Sequence, residues 1–260
     1  MSRQVATFDL WETLLLDEPE GERRRIKLGC EQLHDVLSKQ GIEVTVQDLK
    51  RGYDQSNSWL MESWKTWREV PTLEHVKYVV KAAAGENAAL SSELLKELEE
   101  AYCSPVLAAP PVLNPDAVLT LQALRKRGTP VGLICNTGRA PGRTLRQLLD
   151  WLGILQYFEA TVFSDELGWR KPDRQIFLEA ARKLGTLPAN VIHVGDNPED
   201  DVWGAKQAGM RALLFDRRVP EEFANDPHSL YALTRTATKL SAEPDGRIIS
   251  LREVLAYLQD

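Results

Sequence analysis

VIHVGDNPEDDVWGAKQAGMRALLFD, residues 191–216, reads as a strand, a helix and a second strand. VIHVGD (191–196) is a short apolar run that stops at a glycine and a carboxylate. DVWGAKQAG (201–209) has helical character and ends on glycine, and RALLFD (211–216) is apolar again. Strands buried on both faces of a parallel sheet read as such continuous apolar runs, with the helix between them forming the crossover.

The same alternation extends backwards. ATVFS (160–164) and VGLIC (131–135) read as strands, separated by the helix RTLRQLLDWLG (143–153). RQIFLEAARKLG (174–185) is a helix, as is Pro115 to Arg127, which ends at Gly128. Val5 to Phe8 is one more β-type run, ending at Asp9. Strand–helix repeats at this spacing predict an α/β fold with a doubly wound, Rossmann-like parallel sheet. Residues 18–102 interrupt the pattern with helical periodicity alone, as in CEQLHDVLSKQ, where Leu33, Val36 and Leu37 share a face. Gly41 and Gly85 mark helix ends there, and Pro71-Thr72 a helix start. The expected organisation is a core of residues 1–16 and 105–260, with an α-helical cap of residues 17–104 inserted after the first strand. After Val219 the chain reads as a charged, irregular stretch, followed by RIISLREVLAYLQ as a short strand and terminal helix.

Composition sets the outer limits. The 260 residues are 43% hydrophobic with a net charge of −6, the pI is near 5.4 and the mean hydropathy is −0.32. An acidic chain of ordinary hydropathy argues against a nucleic-acid partner and against a membrane partner. Its basic runs, Arg23 to Arg25, Arg125 to Arg127 and Arg217-Arg218, are expected on solvated faces. Cys30, Cys103 and Cys135 are odd in number and unpaired in spacing, which fits a reducing compartment. Asp9 and Glu12 interrupt the early apolar run, which is unlike a secretory leader. A cytoplasmic monomer or homodimer is expected.

Ligands of doubly wound sheets bind at the carboxyl ends of the strands. The residues leaving those ends are Asp9, Cys135-Asn136-Thr137, Ser164-Asp165 and Asp196-Asn197, with Lys171 close behind the third and Asp200-Asp201 behind the last. Any single aspartate there reads equally as a turn former or helix cap. Taken together they form a chemical set. Carboxylates packed this closely repel, and a hard cation such as Mg²⁺ relieves them with oxygen ligands and waters. Lys171 would hold Asp9 ionised as a nucleophile and pair with an anionic substrate. Asn136 and the amides after the second strand would grip phosphate or carboxylate oxygens. His193, inside its strand, is expected as a hydrogen-bonded core histidine.

The fragments FDLWETLL, LICNTG, RKPD and HVGDNPEDD, in this order, resemble the four motifs of the haloacid dehalogenase superfamily of hydrolases. SDELGWRKPDRQIF and VGDNPEDDVWGAKQAGM look like members whose helical cap follows the first strand. The resemblance covers residues 4–16 and about 110–216, and the helical block by position only. It implies Asp9 as the nucleophile that forms a covalent intermediate, and Lys171 as its charge balance. Asp9, the carbonyl of Trp11, and Asp196 would be metal ligands, with Asp201 or its neighbour Asp200 supporting a metal-bound water. The expected cofactor is Mg²⁺. Asn136 would bind the anionic oxygens of a small phosphorylated substrate, beside Cys135, Thr137, Trp11 and Glu12.

Two positions depart from the family pattern. Cys135 stands where serine or threonine is usual and is a much weaker donor. Either Thr137 supplies the hydroxyl or Cys135 is simply a small buried hydrophobe. The second departure is Trp11, at the usual acid/base aspartate. An indole does not titrate usefully, and acid/base help of this kind is worth about 10²–10⁴-fold in rate. Three ways round remain: a leaving group that needs no proton, as in 2-haloacid dehalogenases; an acyl or aryl phosphate; or a stand-in carboxylate such as Glu12, where the family usually has glycine. A Mg²⁺-dependent phosphatase is the leading expectation, with a 2-haloacid dehalogenase second and a catalytically weak phosphate- and metal-binding protein third.

SWLMESWKTWR (58–68) holds Trp59, Trp64 and Trp67. Leu60, Trp64 and Trp67 fall on one helical face, which suits packing of the helical block. The alternative is that one or two of these rings face the site and select an apolar or aromatic substrate. Arg23 to Arg25 and Lys65 are further candidates for an anionic substrate.

Overall fold

The computed structural model describes residues 4–85, 88–217, 225–226, 229–236 and 240–258. Its main sheet has six strands: β1 (Val5–Phe8), β4 (Val131–Cys135), β5 (Ala160–Phe163), β6 (Val191–Gly195), β7 (Arg211–Phe215) and β8 (Gly246–Ile248). They lie in the order β5-β4-β1-β6-β7-β8, and every pairing is parallel. The chain starts in the middle of the sheet and winds outward in both directions, as the strand–helix alternation predicts. Side chains of successive strand residues enter opposite layers. Ala6, Phe8, Leu133, Cys135, Ile192 and Val194 join one apolar cluster with Leu121, Leu145 and Leu148. Val5, Ile134 and Val191 join the other, with Ile176, Phe177, Ala180 and Ala205. The apolar runs are therefore continuous because both sheet faces are covered.

Between β1 and β4 a two-stranded antiparallel ribbon, β2 (Leu15–Leu16) with β3 (Val112–Leu113), ties together the segments that lead out to the helices and back. Asn114 reinforces it, donating from Nδ2 to the Thr13 carbonyl at 2.8 Å. The sequence reading misses this ribbon, since two residues carry no periodicity.

The intervening helices are α1 (Pro19–Lys39), α2 (Val46–Trp64), α3 (Thr72–Ala84) and α4 (Ser92–Cys103). They surround an apolar cluster of their own, in which Leu33, Leu37, Leu49, Val76, Val79, Val80 and Leu98 are buried. A capping box starts α2, with Thr45 and Asp48 satisfying each other's backbone amides. Gly52 lets α2 approach α3 closely: a Cβ there would lie 2.6 Å from the Val79 carbonyl oxygen.

Several expectations need correction. Helix α2 stops at Trp64, so Trp67 lies beyond it, with φ +58, and the shared face with Leu60 does not extend that far. Trp67 leans on Trp203 instead, ring centroids 5.7 Å apart. The stretch read as one helix over 201–209 is a π-helical turn, Pro198–Trp203, continued by Gly204–Gln207. The region read as irregular contains a helix, Leu230–Thr236. Val219 and Arg218 lie outside the described residues. No helix among the described residues is long and apolar enough to cross a membrane.

Candidate active site

The carboxyl ends of β1, β4 and β6 open into one cavity of ≈ 210 Å³, whose walls include Asp9, Trp11, Glu12, Asn136, Thr137, Lys171, Asp196 and Asp201. Register brings the carboxylates together. Phe8 pairs with Val194, and the Asp9 amide donates to the Val194 carbonyl at 2.9 Å, so β1 and β6 remain joined up to the first carboxylate.

Lys171 sits between two acids, its Nζ 2.5 Å from Asp9 Oδ1 and 2.6 Å from Asp201 Oδ1. All three residues are buried. Burial alone would lower the lysine, but Asp201 and Asp9 outweigh it and hold the ammonium charged above the usual lysine range. Burial pushes the Asp9 carboxyl upward, with Lys171 opposing and Asp201 adding to the rise. Asp201 is also raised by burial, yet Lys171 and His193 more than compensate and hold it low. The arrangement gives Asp201 the permanent negative charge and leaves Asp9 the more basic of the two.

Asp201 is locked in place. Its Oδ1 meets His193 Nε2 at 3.2 Å, and its Oδ2 accepts the Asn197 amide at 2.9 Å. His193 in turn reaches Thr7 Oγ1 from Nδ1 at 3.0 Å, making it the hydrogen-bonded core histidine expected of its strand position. Gly195 is what permits this approach, because a Cβ there would fall 2.2 Å from the Asp201 side chain.

Asp9, Asp196 and Asp201 can each offer one carboxylate oxygen, and these atoms lie within 4.8 Å of one another. Three hard oxygen donors this close, with only part of their charge offset by Lys171, are a chemically suitable set for a divalent cation. Asp196 is engaged by Arg235, from the helix over Leu230–Thr236. Burial pushes the carboxyl of Asp200, which also lines the cavity, up to about 7, against Arg170 and Lys171.

The second-strand loop behaves differently from the expectation. Cys135 is fully buried in the core cluster and its thiol reaches back to the Asn136 carbonyl at 3.4 Å; it does not line the cavity. Of the two readings of this residue, the geometry is that of a small buried hydrophobe. Burial raises its thiol well above the ordinary range. Asn136 lines the cavity, yet its amide grips the backbone of Lys171, accepting from that residue's N–H at 2.7 Å and donating to its carbonyl at 3.0 Å. It therefore aims the lysine. The Thr137 hydroxyl lies 3.1 Å from Ser164 Oγ, and the Thr137 amide donates to the same oxygen at 2.9 Å.

Trp11 is half-buried on the cavity wall and packs against the core cluster. Glu12 adopts φ +60, the left-handed region that favours glycine, in agreement with the residue usual at that place. Its side chain accepts the Asp17 amide at 3.1 Å and pairs with Arg217. Arg217 is thus not on a solvated face, contrary to expectation. Arg25 likewise pairs with Asp17 on the cavity wall, whereas Lys65 is exposed and bound to Glu62.

Several contributors escape the sequence reading. Glu69, after α2, forms a buried pair with Arg170, the neighbour of Lys171, at 2.9 and 3.0 Å. Glu69 also accepts from Trp64 Nε1 at 2.8 Å and from the Ser164 hydroxyl. Arg170 stacks over Trp64, 3.7 Å from its centroid. Trp64 thus lines the cavity while Trp59 stacks on Tyr78 at 4.7 Å, among the helices. Arg139, two residues past Thr137, reaches Ser56, Asn57 and Tyr102. Only Arg170 has a visible signal, its place in RKPD; a lone glutamate after a helix has none.

Comparison with known proteins gives a consistent assignment. A family model described as haloacid dehalogenase-like hydrolase matches residues 4–209. Phosphoserine phosphatase of Thermus thermophilus is 34% identical over 169 residues, 65% of this chain but 59% of that protein's length. Phosphoglycolate phosphatase of Salmonella typhimurium is 30% identical over 229 residues, 86% of each chain. The crystal structure of a 2-haloacid dehalogenase from Pseudomonas syringae matches with a TM-score of 0.65 and 26% identity, covering 98% of this chain and 97% of that one. An aspartate at a strand end, its buried lysine and an acid cluster at the carboxyl edge of the sheet are thus found in a chain whose family match spans most of its length, and the protein belongs to the haloacid dehalogenase-like hydrolases.

Proposed function

We propose that this hydrolase is a Mg²⁺-dependent phosphatase that acts on a small phosphorylated metabolite through Asp9. The observation that carries the reading is Lys171 held 2.5 Å from Asp9 and 2.6 Å from Asp201, with Asp196 beside them in one cavity. Residues 1–16 and 105–260 act as the catalytic core, and residues 17–104 as a cap that excludes water and selects the substrate.

Asp9 attacks phosphorus, the bond to the leaving oxygen breaks, and that oxygen departs with the electron pair. Water then cleaves the aspartyl-phosphate, releasing inorganic phosphate and restoring the carboxylate. Lys171 keeps Asp9 ionised for attack and attracts the phosphoryl oxygens, while Asn136 positions the lysine. Asp9, Asp196 and the Trp11 carbonyl would hold Mg²⁺, with Asp201 supporting its water. The bound ion would neutralise charge on the transferred phosphoryl group. Trp11 supplies no proton to the leaving oxygen, so favoured substrates are acyl and aryl phosphates, whose leaving groups depart as stable anions.

A second reading, hydrolysis of a small 2-haloacid, is favoured by Trp11 too, since halide needs no proton. One panel separates them: an aryl phosphate, acetyl phosphate, an alkyl phosphate and a 2-haloacid, each with and without Mg²⁺. Metal-dependent phosphate release from the aryl and acyl compounds supports the phosphatase, and metal-independent halide release overturns it. Absence of all turnover, unchanged in Asp9→Asn, points to a binding protein.

A further inference from the structure

Glu69 lies on the connection between α2 and α3, in the helical block, and its side chain is 1% exposed. Every partner of its carboxylate is a donor: Trp64 Nε1 at 2.8 Å, the Val70 amide at 3.0 Å, Arg170 Nη1 at 2.9 and 3.0 Å, and the Ser164 hydroxyl. A carboxylate accepts at both oxygens, whereas an amide side chain accepts at one end and donates at the other. These surroundings suit an acid and no neutral isostere.

Two of the donors belong to the sheet side. Arg170 immediately precedes Lys171, and Ser164 follows β5. Ser164 has one proton and gives it to Glu69, so the Thr137 hydroxyl 3.1 Å away donates to Ser164, as the Thr137 amide does at 2.9 Å. Asn136, next to Thr137, closes the circuit by holding the backbone of Lys171 at 2.7 and 3.0 Å. Glu69, Ser164, Thr137, Asn136, Lys171 and Arg170 thus form one ring, all but Glu69 from the sheet side.

The backbone repeats the connection. The Glu69 amide donates to the Gly168 carbonyl at 3.2 Å and the Arg170 amide to the Trp67 carbonyl at 3.0 Å, so residues 67–69 and 168–170 run antiparallel. The segment that leads into Lys171 is therefore paired with the helical block and lies in no strand. Its lysine nevertheless has to reach Asp9 at the end of β1, 2.5 Å from Nζ. Asn136, Thr137, Arg170 and Lys171 line the cavity, whereas Glu69 and Ser164 stand behind them.

We propose that Glu69 is a positioning residue for the reaction at Asp9: docked in this ring, it sets Lys171 and the loop 136–138 together, so that the helical block aligns groups it does not itself supply. The proposal rests on the phosphatase reading for what the aligned groups do, while the ring stands on its own contacts. A displacement of about 1 Å in such a group costs about 10²-fold in rate.

The test uses Glu69→Gln and Ser164→Ala, singly and together, in the full chain, well below the melting temperature of each. Ser164→Ala leaves the Glu69–Arg170 pair intact and reports on the ring even where Glu69→Gln does not fold. With 4-nitrophenyl phosphate and Mg²⁺, Glu69→Gln is expected to lower kcat by about 10- to 100-fold and to change KM by less than about threefold. Ser164→Ala should lower kcat by about 3- to 10-fold, and the double variant should lose little more than Glu69→Gln alone, because residues acting as one unit are not additive. A brace that only stabilises the fold leaves kcat of the folded protein unchanged, and independent contacts give losses that multiply. Either result overturns the proposal.

Hydrogen exchange gives a readout that needs no turnover. The Thr137 amide is bonded to Ser164 and the Lys171 amide to Asn136, so Glu69 touches neither and Ser164 does not touch the second. Glu69→Gln is expected to speed exchange at Thr137, and Ser164→Ala at Lys171, by about tenfold, with the amides of β4 and β6 unchanged. Loosening confined to directly bonded groups overturns the proposal. If wild type hydrolyses no phosphate ester and the crossed effects appear, the phosphatase reading falls alone; if it hydrolyses esters and they do not appear, the ring falls alone.

Discussion

The two sides of the cavity are built by different means. On the sheet side, Asp9, Lys171, Asp196 and Asp201 stand at strand ends or just beyond them, and backbone register sets their spacing. On the helical side, Glu69, Trp64, Tyr53, Tyr102 and Ser56 come from α2, α4 and the connection after α2, held by side-chain contacts and, at Glu69, by its amide donating to the Gly168 carbonyl at 3.2 Å. The sheet side sets three carboxylates against the one ammonium of Lys171, with Arg235 added at Asp196. The helical side supplies the buried carboxylate of Glu69 to Arg170, that of Asp17 to Arg25, and a set of neutral and aromatic groups around Arg139.

The division predicts separable effects. The largest is expected at the proposed nucleophile: Asp9→Asn keeps the shape of the sheet side and should lower turnover by about 10⁴-fold or more, with little change in stability, read by steady-state kinetics beside thermal melting. An Asp9→Asn protein that remains active would show that the sheet side does no covalent chemistry. The next effect adds to the site. Trp11→Asp restores a titratable group and should raise alkyl-phosphate turnover by about 10²–10⁴-fold, leaving activated aryl phosphates much less affected. If alkyl and aryl esters respond alike, proton delivery is not what Trp11 withholds.

The smallest of the three belongs to the helical side. Glu69→Gln leaves Arg170 buried without its carboxylate and should cost about 3–5 kcal/mol of stability in denaturant unfolding. Trp64 loses an acceptor for its Nε1 in the same variant if the new amide turns its nitrogen inward. A loss well under that range would mean that the two sides are joined by apolar packing and hardly at all by this pair.

Much of the sheet side is legible in the chain because it depends on local rules. Apolar runs that end in Asp9 or Gly195-Asp196 mark strands buried on both faces, and side chains at such ends must meet at one edge. The helical block is legible as helices for the same reason, through period and capping signals such as Thr45 and Asp48. Particular residues defeat the reading where a local rule has two outcomes. Cys135 is equally compatible with a loop donor and a core residue, and the alternation of β4 sends it inward with Leu133. Glu12 reads as a spare carboxylate, but its left-handed backbone and its contact with Arg217, some 200 positions away, give it another use. Trp67 continues a helical stripe on paper, whereas the helix ends three residues earlier.

The sequence by itself determined the α/β class, the interruption by helices and the carboxylate–lysine set at the strand ends, since these follow from periodicity and from where apolar runs stop. Only the tertiary structure decided how the cations are used. Glu69 with Arg170, Glu12 with Arg217, Asp196 with Arg235, and Arg139 with Asn57 are all pairings between distant segments. The physical reason is that Coulomb attraction depends on separation and burial, and neither is encoded in the spacing of residues along the chain.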